Sequence, residues 1–424
     1  MAFLNPFRGF RYNKEKVGDF NKVTTQPYDK TTPTMQDEYY RRSPYNVVRI
    51  TLNTEKRENA ETSYLEAGAI FRRWIEEKAL VRDAVPAMYA YYQEYKIEGE
   101  PRIQRGFIAL LDLENSGSGI IPHERTLAAP KQDRLRLMRS IEANEDLIYM
   151  LYSDDSLTVN RIVDESISGR QAEIEVTDEY GAIHRVWAMT DAGALKKIQN
   201  AMLRQKLFIA DGHHRFETSV NFMNECREKG WEPAAVESFD KRLVTCFNSA
   251  DGVTILPTHR LIRDLPEFDP QKFLRSIEKD FRVEPVSSAS VLWEEMRKGQ
   301  SKNVFGFYPA TLKKFYLIRL KKEPEEPRQL DVSVLHSLLL ERFLGIDEGK
   351  LAAQSHLDYV RERELCIQLV DDDQYQAAFF LNSTTAEQMQ RIASLGERMP
   401  QKSTDFYPKL LTGLVFMKMQ IKKN

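Results

Sequence analysis

The sequence predicts an α/β fold with α+β character, in which a mixed sheet with helices is followed by a smaller C-terminal α+β portion. Apolar segments of strand length alternate with amphipathic helical segments along most of the chain. The 424 residues also exceed the size at which a single hydrophobic core keeps growing. We therefore expect two regions, residues 1–265 and 266–424, divided near the prolines of Leu265–Pro270.

The first region contains most of the recognisable elements. Strands are predicted at Val47–Leu52, Met88–Tyr95, Ile103–Leu113, Leu147–Tyr152, Lys206–Ala210, Thr245–Asn248 and Val253–Leu256. Helices are predicted at 60–77, 133–143, 191–205 and 215–229, with another helix and a small hairpin in 156–188. Turn residues at Glu98–Pro101, Asp178–Gly181 and Ser249–Gly252 predict three hairpins.

The second region is predicted to be a smaller α+β portion. Helices are expected near 271–280, 289–298, 331–343 and 386–395, and strands near 303–308, 314–320, 364–370 and 376–381. We expect the loop 399–409 to return to a site in the first region.

The composition excludes several classes of partner. A net charge of −2 and a pI near 6.5 give no overall positive field, so we expect no nucleic-acid binding. The apolar runs fall short of the roughly 18–20 residues that span a bilayer, and the first residues do not form a signal peptide. Three widely spaced cysteines favour a reducing compartment. We expect a soluble, cytoplasmic protein with small-molecule ligands and an oligomeric state that the sequence leaves open.

The segment Asp211-Gly212-His213-His214-Arg215 is the most informative, because it joins a predicted strand to a predicted helix. Gly212 permits a sharp turn and close approach of a ligand to the main chain. The first N–H groups of a helix lack internal partners and favour anions. The two histidines and the arginine add donors, so the segment predicts a phosphate site. Asp211 could hold a metal ion or accept a proton from a hydroxyl.

Other interpretations of this segment remain open. Asp211 could cap the helix and the histidines could satisfy buried polar groups. A metal site formed by Asp211, His213 and His214 is less favoured, because adjacent residues at a helix start point in different directions.

Two further segments carry groups suited to phosphoryl chemistry. His123-Glu124-Arg125-Thr126 brings a carboxylate, a cation and a hydroxyl into one loop, and Glu124, flanked by His123 and Arg125, is predicted to be the general base. Lys402-Ser403-Thr404 are typical donors to phosphate oxygens. A surface ion-pair loop and a polar loop are the alternatives for these two segments. Tyr28, Asp29 and His259 lie in turn or strand-end segments that could line the same site.

These segments, in their order along the chain, resemble the prokaryotic family known as domain of unknown function 1015. The matching pieces are Pro6–Gly9, Pro27–Asp29, His123–Thr126, Ala210–Arg215, Leu256–Arg260, Asp331–His336 and Met399–Thr404. Gln26 stands where the family pattern has a second proline. Within this resemblance, Asp-Gly-His-His-Arg is similar to the phosphate-binding element of the ParB/sulfiredoxin-like superfamily, including its free serine kinases.

The resemblance implies a small-molecule kinase that phosphorylates the hydroxyl of free L-serine or a similar metabolite. It assigns the phosphates to Gly212, His213, His214 and Arg215, and a metal or base role to Asp211. Arg125, Thr126, Lys402, Ser403 and Thr404 would add phosphate contacts; Tyr28, Asp29, His123 and His259 would contact the substrate.

The expected ligands are Mg²⁺ and a phosphate donor, which could be ATP, ADP, pyrophosphate or polyphosphate. The metal ligands are not identified. A ParB-like nucleotide-binding regulator and a phosphohydrolase with the same phosphate site are the alternatives.

Overall fold

The computed structural model describes residues 1–53, 60–124, 128–322, 329–353, 355–400 and 402–423. The α-helices in these ranges are α1 Lys14–Val17, α2 Pro33–Arg42, α3 Val48–Thr51, α4 Ala60–Glu76, α5 Ala128–Ile141, α6 Thr158–Ile167, α7 Ala192–Met202, α8 His213–Glu228, α9 Pro270–Ile277, α10 Ala289–Lys298, α11 Asp331–Val334, α12 Glu348–Ala353, α13 Arg363–Asp371 and α14 Ala386–Ser394. A π-helix, Leu335–Phe343, continues α11, and Phe20–Lys22 and Gly117–Gly119 are 3₁₀ turns.

The strands are short except near the centre of the first sheet. They are β1 Leu4–Asn5, β2 Phe10–Tyr12, β3 Leu80–Arg82, β4 Met88–Ile97, β5 Glu100–Asp112, β6 Ile120–Pro122, β7 Ala143–Asn144, β8 Ile148–Tyr152, β9 Ile174–Thr177, β10 Ile183–Met189, β11 Leu207–Asp211, β12 Glu232–Pro233, β13 Lys241–Asn248, β14 Thr254–Ile255, β15 His259–Ile262, β16 Phe281–Val286, β17 Val304–Pro309, β18 Phe315–Leu320, β19 Leu357–Val360, β20 Ala377–Phe380, β21 Phe406–Tyr407, β22 Met417–Lys418 and β23 Ile421–Lys422.

The chain divides into two compact units. Unit 1 comprises Met1–Pro122, Thr126–Val253 and Pro408–Asn424, and unit 2 comprises His123–Arg125 and Thr254–Tyr407. This division falls earlier than the predicted boundary after residue 265, and it assigns the last segment of the chain to unit 1.

Unit 1 is built on a mixed sheet of nine strands within the described ranges. Its order is β6-β11-β8-β13-β5-β4-β10-β9, and β1 also pairs with β5. β11 runs parallel to β6 and antiparallel to β8, and β8 runs parallel to β13. One face packs on α6 and α7 through a core that includes Val159, Val163, Leu195 and Ile198.

Unit 2 contains a six-stranded sheet in the part of the chain described above, in the order β16-β18-β17-β20-β15-β19. Its strand pairs are antiparallel. α10 and α13 pack on this sheet through Leu292, Met296, Cys366 and Val370. The predicted mixed α/β fold with a smaller α+β portion is therefore confirmed.

Most predicted elements are present, including two of the three predicted hairpins. β4 and β5 pair across the turn at 98–99, and β9 and β10 pair across 178–182. Among the described helices, none has the combination of length and apolar character needed to cross a bilayer.

The strand predicted at Val47–Leu52 is wrong, because this β-branched segment contains helix α3. The side chain of Asn46 accepts a hydrogen bond of 2.9 Å from the N–H of Val48. The carbonyl of Val47 accepts from Thr51, which closes a helical turn. The hydrogen bond to the Asn46 side chain just before the helix, and the burial of Val48 and Ile50, outweigh the weak strand preference of β-branched residues.

The strand predicted at 364–370 is also wrong, because these residues belong to helix α13. Its buried residues Cys366 and Val370 are four apart, so one helical face reaches the core. A short apolar run does not distinguish a strand from a helix by periodicity.

The hairpin predicted across Ser249–Gly252 does not form. β13 is an interior strand that pairs with β5 on one edge and β8 on the other. Both edges are therefore occupied, and β14 instead pairs with β21.

Candidate functional site

The segment 211–215 lies where β11 ends and α8 begins, as predicted. The pairing of β11 with β8 shifts register between Ile209 and Asp211, which ends the regular ladder. Gly212 then adopts a left-handed conformation with φ 97°, and α8 starts at His213. A side chain at Gly212 would be strained in this conformation. The turn therefore aims the first N–H groups of a 16-residue helix out of the strand end.

Asp211 is surrounded by donors and cations. Its Oδ1 accepts a 3.0 Å hydrogen bond from the N–H of Gly212. Its Oδ2 lies 3.5 Å from Nζ of Lys409 and 3.7 Å from Nη2 of Arg215. Burial would raise the pKa of Asp211, but Lys409, Arg215, Lys30 and His213 outweigh it and hold the pKa well below its ordinary value. A carboxylate with so low a pKa is a weak proton acceptor.

Arg215 is buried and already bonded within unit 1. Its Nη1 donates a 2.6 Å hydrogen bond to the carbonyl of Leu147 and lies 3.6 Å from Oδ2 of Asp146. The Asp146 carboxylate also accepts from Arg242. Burial lowers the pKa of Arg215, but Asp146 and Asp211 outweigh this effect and raise it. Arg215 is therefore placed to fix Asp211 and the start of α8.

The two histidines differ in exposure. His213 is buried, whereas His214 is half-buried. Burial lowers the pKa of His214, with smaller opposing effects of Glu217 and Asp29. Its imidazole is therefore mostly neutral near pH 7, so one ring nitrogen donates a hydrogen bond and the other accepts one.

Tyr28 lies in the same part of unit 1. The guanidinium of Arg134 is 4.2 Å from the centroid of its ring. Burial raises the pKa of Tyr28 to about 12, with the charges of Arg134 and Arg215 lowering it and that of Asp29 raising it. Because the charges of Arg215 and Asp29 both act on the Tyr28 hydroxyl, Tyr28 and Asp29 lie near Arg215.

In unit 2, the predicted residues His123, Glu124 and Thr404 come together. Nε2 of His123 lies 3.0 Å from Oγ1 of Thr404. The N–H of Met399 donates to the carbonyl of His123 at 2.8 Å, and Glu124 forms a parallel bridge with Met399. The 399–404 segment is therefore bound to the His-Glu segment.

Lys402 and Ser403 belong to the same segment of unit 2. The carbonyl of Lys402 accepts a 3.1 Å hydrogen bond from the buried Arg260. The hydroxyl of Ser403 donates to the carbonyl of Pro400, and Thr384 donates to the carbonyl of Ser403. Lys402 itself has a left-handed backbone, φ 59°, and an exposed side chain.

His259 has a different environment from the one predicted. It has no exposed surface, and its Nδ1 accepts a 3.3 Å hydrogen bond from the N–H of Leu381. Burial lowers the pKa of His259 to about 3. These contacts are those of a core histidine of unit 2. Arg125 and Thr126 lie outside the described residues.

A family model described as "Protein of unknown function (DUF1015)" matches residues 4–333. The chain belongs to this family. The resemblance inferred from the motifs is thereby confirmed, since the match covers more than half of the chain. A comparison with curated proteins found no match.

Solved structures with detectable likeness to this DUF1015 chain are distant. A conserved hypothetical protein from Pyrococcus furiosus is 13% identical, with a TM-score of 0.35 over 72% of this chain and 93% of that one. A free serine kinase in complex with AMP is 11% identical, with a TM-score of 0.36 over 70% and 86%. SbnI with a C-terminal truncation, from Staphylococcus aureus, is 9% identical, with a TM-score of 0.36 over 72% and 85%. Likenesses this weak give no argument about the activity of the chain.

Two residues of the candidate site in unit 1 were not predicted from the sequence. Lys409 contacts Asp211 from a position 198 residues further along the chain. Asp146 holds Arg215 from the segment before β8. The sequence Phe406–Lys409 indicated Lys409 only weakly, as a lysine that follows an aromatic and proline-containing segment. Asp146 had no signal, because an acidic residue before a strand is ordinarily a surface residue.

A metal site made by the protein alone is not present in the described residues, which contain no group of three or more suitably placed His, Cys, Asp or Glu side chains. Asp211 is ionised, because its pKa is lowered, and it could act as a single carboxylate ligand. Mg²⁺ commonly uses one or two carboxylates and completes its shell with phosphate oxygens and water.

Proposed function

We propose that the chain is a small-molecule phosphotransferase whose phosphate site is formed by α8 and Lys409. The supporting observation is that the first turn of a long helix and a lysine ammonium 3.5 Å from Asp211 meet at the end of β11. Helix-start N–H groups and an ammonium are donors that bind phosphate oxygens.

The acceptor in this proposal is the hydroxyl of free L-serine or a similar small metabolite. This part rests on the likeness of Asp-Gly-His-His-Arg to the element of free serine kinases. Phosphoryl transfer requires the two substrates to be in line and the charge on the oxygens to be neutralised, with little covalent chemistry by the protein. Lys409 and the N–H groups of α8 would neutralise that charge, and His213 and His214 would donate hydrogen bonds to the phosphate oxygens.

Asp211 has an electrostatic role in this proposal. Its low pKa argues against proton acceptance, so it would orient Lys409 and hold Mg²⁺ that enters with the donor. Bound Mg²⁺ would neutralise charge on the donor phosphates. The sequence also predicts Glu124 as the proton acceptor for the hydroxyl, and Lys402, Ser403 and Thr404 as hydrogen-bond donors to phosphate oxygens. These four residues lie in unit 2, and their roles stay predictions.

A product assay tests the proposal. The purified chain is incubated with L-serine and Mg²⁺ and, separately, with ATP, ADP, pyrophosphate or polyphosphate. O-phosphoserine is measured against free phosphate. Formation of O-phosphoserine with one donor is the expected result. Free phosphate that forms equally well without serine would indicate a phosphohydrolase instead, and absence of both products would reject phosphoryl transfer.

A further inference from the structure

A network of buried polar side chains joins β4 and β10 in the sheet of unit 1. Tyr91 and Gln93 lie on β4, and His184 lies directly opposite Gln93 on β10. None of these three side chains has exposed surface. Nδ1 of His184 lies 2.7 Å from the hydroxyl of Tyr91, and Nε2 lies 3.3 Å from Oδ2 of Asp178. Because a carboxylate only accepts, Nε2 carries the proton of that hydrogen bond.

Gln93 connects this polar network to the segment that carries Lys409. Its Nε2 lies 3.4 Å from the hydroxyl of Tyr91 and donates a 3.0 Å hydrogen bond to the carbonyl of Lys409. The backbone of Lys409 is therefore held by Gln93, while its side chain reaches Asp211.

At its other end, this polar network holds the segment before Tyr28 and Asp29. Nε2 of Gln26 donates to Oδ2 of Asp178 at 3.2 Å. Thr25 and Thr412 exchange two backbone hydrogen bonds of 3.2 and 2.9 Å. The segments that contain Thr25 and Thr412, almost 400 residues apart in sequence, are thus both fixed against the same buried polar network.

A buried polar network of this kind is an inefficient way to stabilise a sheet. Buried polar groups are costly unless each finds its partners, and apolar side chains of similar volume often stabilise a core as well or better. Fixed hydrogen bonds do, however, set the position of a backbone more narrowly than apolar packing does.

We propose that Gln93, Tyr91, His184 and Asp178 are positioning residues, which fix the ammonium of Lys409 relative to Asp211. The inference rests on the proposed function for the role of Lys409 at phosphate, but the positioning itself is independent of the substrate. Losing the bond from Gln93 releases the Lys409 carbonyl and lets Nζ leave the carboxylate.

The test compares Gln93→Leu with Gln199→Leu. Gln199 is a matched control, because its Nε2 also donates to a backbone carbonyl, that of Leu4, at 2.8 Å. Both variants and the parent chain are treated with limiting acetic anhydride in the folded state, and acylation of Lys409 is followed by peptide mass spectrometry. Gln93→Leu is expected to raise the rate at Lys409 about fivefold, the ratio that corresponds to one net hydrogen bond, while Gln199→Leu leaves it unchanged.

Equal Lys409 rates in the two variants would overturn the inference. If Gln93→Leu does not fold, His184→Gln serves instead and is expected to raise the same rate; no rise in that folded variant overturns the inference as well. Pyrophosphate affinity, measured by calorimetry on the same proteins, separates the two proposals. A parent chain that fails to bind pyrophosphate counts against the phosphate site, whereas the acylation rates still decide the role of Gln93.

Discussion

Replacing Gly212 by alanine tests the geometry of the strand-to-helix turn most directly. A Cβ built on Gly212 would lie 3.1 Å from Nε of Arg215 and 3.2 Å from its Cζ and Nη2. The guanidinium cannot withdraw easily, because Nη1 donates to Leu147 and faces Asp146. The φ of 97° adds strain for any residue with a side chain.

The control is Gly169→Ala. Gly169 also has a positive φ, 71°, but a Cβ there would meet nothing within 4 Å. Both variants share the left-handed penalty of about 1–2 kcal/mol. Only Gly212→Ala adds overpacking, which typically costs about 1–3 kcal/mol. At roughly 2–4 °C per kcal/mol for a unit of this size, Gly212→Ala should melt several degrees below Gly169→Ala.

Ligand binding gives the second measurement. A displaced Arg215 shifts Asp211 and the first turn of α8, so we expect the affinity of Gly212→Ala for pyrophosphate to fall about tenfold or more. Calorimetric titration and thermal melting of both variants measure the two effects. Equal melting temperatures and equal affinities in Gly212→Ala and Gly169→Ala would refute the reasoning.

Three other variants make separate predictions. Lys409→Gln should weaken pyrophosphate binding about tenfold, because one charge-assisted contact is lost; titration at low and high salt checks this, and unchanged affinity removes Lys409 from the phosphate site. Glu124→Gln should abolish phosphoserine formation in the product assay without changing donor affinity, and full activity would show that Glu124 is not the base. Burial raises the pKa of Asp331 to about 6 from 3.8. Protonation of Asp331 therefore stabilises the folded state fully below about pH 4, and this stabilisation is lost as the pH rises through 6. Asp331→Asn should therefore remove a fall of about 2 kcal/mol in unfolding free energy between pH 4 and 7, and denaturant unfolding that retains this fall would contradict the assignment.

The elements that were predicted well have strong local signals. The hairpin of β4 and β5 combines two long apolar strands with a turn containing Gly99, and helix α10 shows regular apolar spacing. The errors fell on short segments. Four residues of α3 and the apolar run of α13 are compatible with either secondary structure, and Asn46 and the packing of Cys366 decided them.

The same contrast applies to the candidate site. Gly212 and the start of α8 were predictable from adjacent residues, because a glycine after an apolar strand and before a helical segment defines a turn by local conformational preference. Family membership was predictable as well, since motifs in order along a chain require no folded structure.

The charge state and the partners of Asp211 were not predictable from the sequence. Lys409 contacts Asp211 from 198 residues away in the sequence. Arg215 pairs with Asp146, which lies in a different segment, and is therefore less available to a phosphate. Local residues set backbone conformation, whereas the electrostatic potential at a carboxylate depends on every charge that folding brings near it. The position of the turn therefore followed from neighbouring residues. The charge and the partners of Asp211 were decided by the fold, which brings distant segments to the end of β11.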